Sequence, residues 1–249
     1  MAASIVLIAV LATAVLSGVL GMAGGMVLMA VLVTVSPVAT AMVVHGIAQA
    51  TSNGARVWFL RRHVMWNVLP PYLLGGALAT GVFVAVAFVP EPGLVLVLVG
   101  ASPWLARLVP FLRGLDIRQR GTSVACGTTV TAAQLLAGAS GPLLDAFYLG
   151  TDTDRRQIVA TKAVTQTIGH VVKIVYYGVI VGRMKDAAAE PVAAWLIAGI
   201  ILLAIVGARI GTAVLERLDT ERFRRITTVA VLALGAVCVI KGVSDLWLD

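Results

Sequence analysis

One pattern occurs twice in this chain, and it restricts the fold more than any other feature. Residues 21–56 and 138–173 superpose at an offset of 117, which sets Gly21 on Gly138, Gly24 on Gly141, His45 on Lys162, Gln49 on Gln166, Asn53 on His170 and Arg56 on Lys173. Each copy is a glycine-rich break followed by a polar ladder in apolar surroundings. In a membrane, paired halves with helices interrupted at equivalent places point to a transport site. A weaker echo sets GGALAT at 75–80 on GARIGT at 207–212, at an offset of 132. A longer loop around 183–190 accounts for the larger offset, although small residues also serve ordinary helix packing.

The surroundings of the ladders are those of a bilayer. The chain is 59% hydrophobic and 12% charged, with a mean hydropathy of +0.98. A soluble domain carries about 25% charged residues. The net charge of +7 sits in short clusters between apolar runs, where it orients a membrane protein and does not signal nucleic acid. Cys126 and Cys238 lie far apart in apolar segments and suggest neither a disulfide framework nor a metal site. No His/Cys/Asp/Glu grouping has metal-ligand spacing. The apolar N-terminus lacks a basic leader and runs on through the glycines, so it reads as part of the first segment.

Eight apolar segments are legible, at about 4–35, 37–59, 64–89, 94–112, 121–150, 156–182, 191–215 and 222–247. The first is broken at Gly18, Gly21, Gly24 and Gly25, and the fifth at Gly138, Gly141 and Pro142. If all eight crossed fully, the basic clusters at 61–62 and 217–225 would face opposite sides, against the positive-inside bias. If segments one and five instead re-enter at their breaks, the bias is met. Arg56, Arg61, Arg62, Arg113, Arg118, Arg120, Arg155, Arg156, Arg217, Arg222, Arg224 and Arg225 then share the cytoplasmic side. The mixed set Glu91, Arg183, Lys185, Asp186 and Glu190 stays on the far side. The expected fold is an all-α integral membrane protein, a single membrane domain over 1–249. It holds two inverted repeats, at about 1–115 and 118–249, each a re-entrant or broken helix plus three transmembrane helices.

Spacings of three and four place His45, Gln49, Ser52 and Asn53 on one helical face, and Lys162, Gln166, His170 and Lys173 on another. Such groups are costly against lipid, so both faces should point into the bundle. Interhelical hydrogen bonding alone would also account for them. Lys162 needs an anionic partner: Asp145, a substrate anion, or water reached by snorkelling. Snorkelling explains Lys173 and Arg56 better. At the breaks, Gly24, Gly25 and Gly141 permit close backbone approach, and a helix restarting there offers N–H groups to an anion. Ser140 adds a hydroxyl. GMAGG at 21–25 has no preceding strand and the wrong spacing for a dinucleotide fingerprint. Asp145, His45 and His170 are candidates for proton coupling.

The breaks GVLGMAGG at 18–25 and AGASGP at 137–142, Pro37 after the first, and ATKAVTQTIGHVVKIVYYG at 160–178 resemble the TauE/SafE family of membrane permeases, the sulfite exporters. The resemblance covers nearly the whole chain. The third consecutive glycine common in that family is replaced by Met26 and Pro142. It implies a bacterial inner-membrane, multi-pass transporter of a small sulfur-containing anion such as sulfite or an organosulfonate. The expected site joins His45, Gln49, Asn53, Ser140, Lys162, Gln166 and His170 to the tips at Gly24, Gly25 and Gly141, with Lys162 supplying charge. An anion channel, or an uptake permease for a carboxylate, is the alternative; no enzyme constellation is present. The expected partners are a small anion and membrane lipid, with proton or ion coupling and a homodimer left open. No nucleic acid, cofactor or metal is expected.

Overall fold

The computed structural model describes residues 3–20, 23–108, 115–148, 152–184, 189–215 and 220–248. Gly21, Arg113, Lys185, Asp186 and Arg217 lie outside them. The described residues form helices and turns with no strand.

The eight segments become helices close to their expected bounds, and the first and fifth are each divided at their glycines. Segment one is α1 (Ala3–Leu20) and α2 (Ala23–Val35); segment five is α6 (Arg120–Ala137) and α7 (Gly141–Ala146). Between them run α3 (Val38–Leu60), α4 (Leu69–Val86) and α5 (Pro92–Leu108). Then follow α8 (Arg155–Val175), a π-helical turn at Tyr176–Ile180, α9 (Val181–Met184), α10 (Ala194–Leu215) and α11 (Thr220–Leu248).

Local chemistry sets these boundaries. Pro37 biases the residue before it away from helix, so α2 stops and α3 starts at Val38. α6 ends where Gly138 turns left-handed, at φ +72°, and its N–H bonds the Gln134 carbonyl at 2.9 Å. A β-carbon at Gly138 would also press on Met29 Sδ and Met42 Sδ. Pro142 suits the first turn of α7. The Asp154 side chain caps α8 by accepting from the Arg156 N–H at 3.0 Å.

The most extensive helix pairings join the first half of the chain to the second. α1 packs along α10, α4 along α6, α3 along α8 and α5 along α11. Gly93 touches the Gly242 backbone and Gly100 the Gly235 backbone, so α5 and α11 run antiparallel. α3 and α8 are antiparallel too: His45 meets Lys173, while Met65, just past α3, bonds Thr161 near the start of α8. The echoed glycines make equivalent crossings. Gly75 on α4 rests on the Val124 carbonyl and Thr128 N–H of α6, and Gly207 on α10 rests on the Leu11 carbonyl and Val15 N–H of α1. Each of the long helices α1, α3, α4 and α5 thus finds its main neighbour in the second half.

The outer surface is apolar. Leu74, Leu78, Val82 and Val86 of α4, Trp195 and Leu202 of α10, and Val237 and Ile240 of α11 are all exposed. Among the described residues two helical stretches, Trp66–Val86 and Ala194–Gly211, are long and apolar enough to cross a membrane. Meanwhile His45, Asn53, Gln134, Gln166, His170 and Lys173 are buried. Apolar side chains outside and polar ones inside are what lipid, not water, selects.

Candidate functional site

The antiparallel packing of α3 on α8 brings the two polar ladders face to face. The His45 and His170 rings lie with centroids 5.4 Å apart. His45 Nε2 is 2.8 Å from the Gly25 carbonyl at the start of α2. A carbonyl only accepts, so Nε2 carries the hydrogen and the neutral ring presents Nδ1 as an acceptor. Lys173 Nζ donates to that Nδ1 at 2.8 Å and to the Gly138 carbonyl at 2.7 Å. One chain of hydrogen bonds therefore ties the first turn of α2 to the break after α6. The snorkelling explanation of Lys173 is corrected here: its side chain is 0% exposed.

A second chain starts at the α6–α7 break. Ser140 Oγ donates to Gln134 Oε1 at 2.5 Å, and Gln134 Nε2 donates to His170 Nδ1 at 2.6 Å. Gln166 Nε2 reaches Ser140 Oγ at 3.4 Å. Gln134 was not among the expected residues. The signal for it was a lone amide in the apolar run of α6.

Between the chains lies a cavity of about 400 Å³, counted to its open mouth. His45, Gln49 and Asn53 line it from α3, Gln166 and His170 from α8, and Gly25, Ser140 and Gly141 from the two breaks. These are eight of the ten expected binding residues. The other two lie elsewhere. Gly24 faces α1, where a β-carbon would collide with the Thr13 carbonyl and Ser17 Oγ. Lys162 does not line the cavity; its Nζ pairs with the Asp145 carboxylate of α7. Asp145 does not line it either.

Four lining residues were not in the expected site: Ser17, Ser52, Arg56 and Ala139. Ser17 of α1 is 4% exposed, and its Oγ finds no protein partner. Arg56, one turn beyond Asn53, is the one lysine or arginine on the wall among the described residues, and its Nη1 donates to Asn53 Oδ1 at 3.2 Å. Its spacing from Ser52 and Asn53 placed it on the polar face. Among the described residues no carboxylate lines the cavity. Among the described residues no group of three or more His, Cys, Asp or Glu could hold a metal ion.

A lipid-facing helical shell closed around a polar cavity, with helices interrupted at the cavity wall, is the architecture of a helical membrane protein with an internal solute site. The family model described as sulfite exporter TauE/SafE matches residues 5–238, and the chain belongs to that family, a family of membrane transporters. Neither the curated proteins nor the solved structures yield a match.

Proposed function

We propose that the chain is a bacterial inner-membrane transporter of a small sulfur-containing anion, of the sulfite or organosulfonate class. The observation that supports this best is the cavity wall, which among the described residues carries Arg56 and no carboxylate and draws residues from both halves. An anion that enters gives up its water, so donors and a cation must replace it. Arg56 offers a planar fork that matches an oxyanion. The amides of Gln49, Asn53 and Gln166 and the hydroxyls of Ser17 and Ser140 supply further donors. In this reading Arg56 takes the role first expected of Lys162, and the Lys162–Asp145 pair holds α7 so that Ser140 faces the cavity.

The transport mode is alternating access between inverted halves at about 1–115 and 118–249. The antiparallel α3–α8 and α5–α11 pairs, and the reciprocal pairing of α1 with α10 and α4 with α6, are the contacts that a two-fold axis in the membrane plane would generate. Both termini then face the periplasm and residues 113–120 the cytoplasm.

The test is flux into proteoliposomes of sulfite, methanesulfonate, taurine and sulfoacetate, beside sulfate and acetate. Saturable flux of sulfite or a sulfonate, lost in Arg56→Gln, is the expected result. Flux of acetate alone would move the substrate class to carboxylates, and flux without saturation would make the protein a channel.

A further inference from the structure

We propose that the Lys173–His45 pair takes up one proton for each anion that enters the cavity, so that anion and proton cross together. The inference rests on the anion site proposed above. Lys173 is fully buried, and among the described residues no carboxylate pairs with it. Its Nζ has two acceptors, the Gly138 carbonyl and His45 Nδ1. A neutral amine has two N–H groups, and two acceptors satisfy both. An ammonium has three, and the third has no acceptor among the described residues. A cation left without a counter-charge inside a lipid-embedded bundle is costly. With the cavity empty, the geometry matches the amine.

An anion reverses that balance. His45 lines the cavity and also accepts from Lys173, so one imidazole both borders the cavity and holds Nζ. A negative charge in the cavity offsets a positive charge on Nζ across that ring, and the low local dielectric strengthens the attraction. As the anion enters, a proton from water joins the Nζ lone pair and the amine becomes an ammonium. As the anion leaves, that proton returns to water on the side of release. Nothing is oxidised or reduced, and the two charges cancel.

The other titratable groups around Lys173 are already engaged. His170, on the same helix, accepts from Gln134 of α6. Tyr176 and Tyr177, in the π-helical turn, donate to the carbonyls of Phe83 and Phe88 and of Leu135. Around Lys173, His45 and His170, the hydrogen-bonding groups that the described residues of α2, α6 and the break after α6 supply are the uncharged Gly25 and Gly138 carbonyls and the Gln134 amide. On the wall Arg56 keeps its charge at any physiological pH, and Lys162 is matched by Asp145.

The test is calorimetric titration of purified protein with methanesulfonate, whose charge does not change near neutrality, in buffers of different ionisation enthalpy. The expected result is uptake of about one proton per anion, with affinity falling about tenfold per pH unit across the alkaline range. Lys173→Arg keeps a fixed cation, so it should bind with no proton uptake and a flat pH profile. If that variant does not fold, Lys173→Gln must likewise show no uptake, and the wild-type proton count decides alone. Wild-type binding without proton uptake, or uptake that persists in the folded variant, overturns the inference while leaving the anion site intact. Absence of methanesulfonate binding to the wild type overturns the anion site and this inference with it.

Discussion

Lys162 and Lys173 stand three turns apart on α8, and their surroundings differ. Lys162 lies where its side chain is 20% exposed and pairs with a carboxylate that is itself 50% exposed. Lys173 is 0% exposed and is held by a carbonyl and an imidazole, neither of which carries a counter-charge. The first lysine is matched where it stands; the second leaves a charge for something else to match. Residue type and helical face are the same for both. Depth and partner separate them, and the antiparallel packing of α3 on α8 assigns those: it sets His45 against Lys173, although the repeat aligns His45 with Lys162.

The strongest way to break this contrast is to move the carbonyl that Lys173 uses. Gly138→Val forces a β-branched residue into φ +72° and against two methionine sulfurs, so a loss of about 3 kcal/mol or more is expected. The measurements are thermal melting and the yield of folded protein in detergent. An unchanged melt would mean that the break adapts and does not fix Lys173.

Next comes Lys173→Met. It leaves His45 Nδ1 and the Gly138 carbonyl without their donor, at about 1–3 kcal/mol for each unsatisfied group. A lower melting temperature and loss of flux at every pH are expected in proteoliposomes. Wild-type flux would place the functional cation elsewhere.

Lys162→Met should do much less. Its pair is partly exposed, and such pairs contribute about 1 kcal/mol or less. Flux within about threefold of wild type is expected, since 0.6 kcal/mol is about a factor of three. Loss of anion binding in a folded Lys162→Met protein would restore Lys162 as the substrate's cation and collapse the contrast.

The smallest effect is expected outside the bundle. In the loop before α6, Arg118 hydrogen-bonds and pairs with Asp116 and holds its carboxyl below the usual carboxylate range. A lowered folded-state value contributes stability above the unfolded value and loses it as pH falls through the folded one. Asp116→Asn should therefore melt slightly below wild type at pH 7, and the gap should close in acid. A gap that widens in acid would contradict that sign. This pair is also the baseline for a purely surface ion pair against which Lys162–Asp145 is judged.

Much of the architecture was legible along the chain. Apolar run length and the punctuation by Pro37, Gly138 and Pro142 gave the helices within a few residues, including the division of segments one and five. Period 3.6 put His45, Gln49 and Asn53 on one face and Gln166 and His170 on another, and all five line the cavity. Ser17 and Gln134 were missed because both lie outside the repeated stretches 21–56 and 138–173 that carry the matched ladders. No ladder marks such a residue, and its meaning depends on which helix packs against it.

Composition, periodicity and the repeated breaks by themselves determined that this chain forms helices, that their polar faces turn inward, and that interrupted helices stand beside them. Those properties follow from local backbone chemistry and from the cost of polar groups in hydrocarbon, both of which can be read one segment at a time. The tertiary structure alone decided which lysine is buried without a counter-charge and which is neutralised. Helical periodicity gives the direction in which a side chain points around its axis. It gives neither the height at which two antiparallel helices meet nor the acceptor that waits there, and that height set Lys173 on His45 and Gly138 while leaving Lys162 to Asp145.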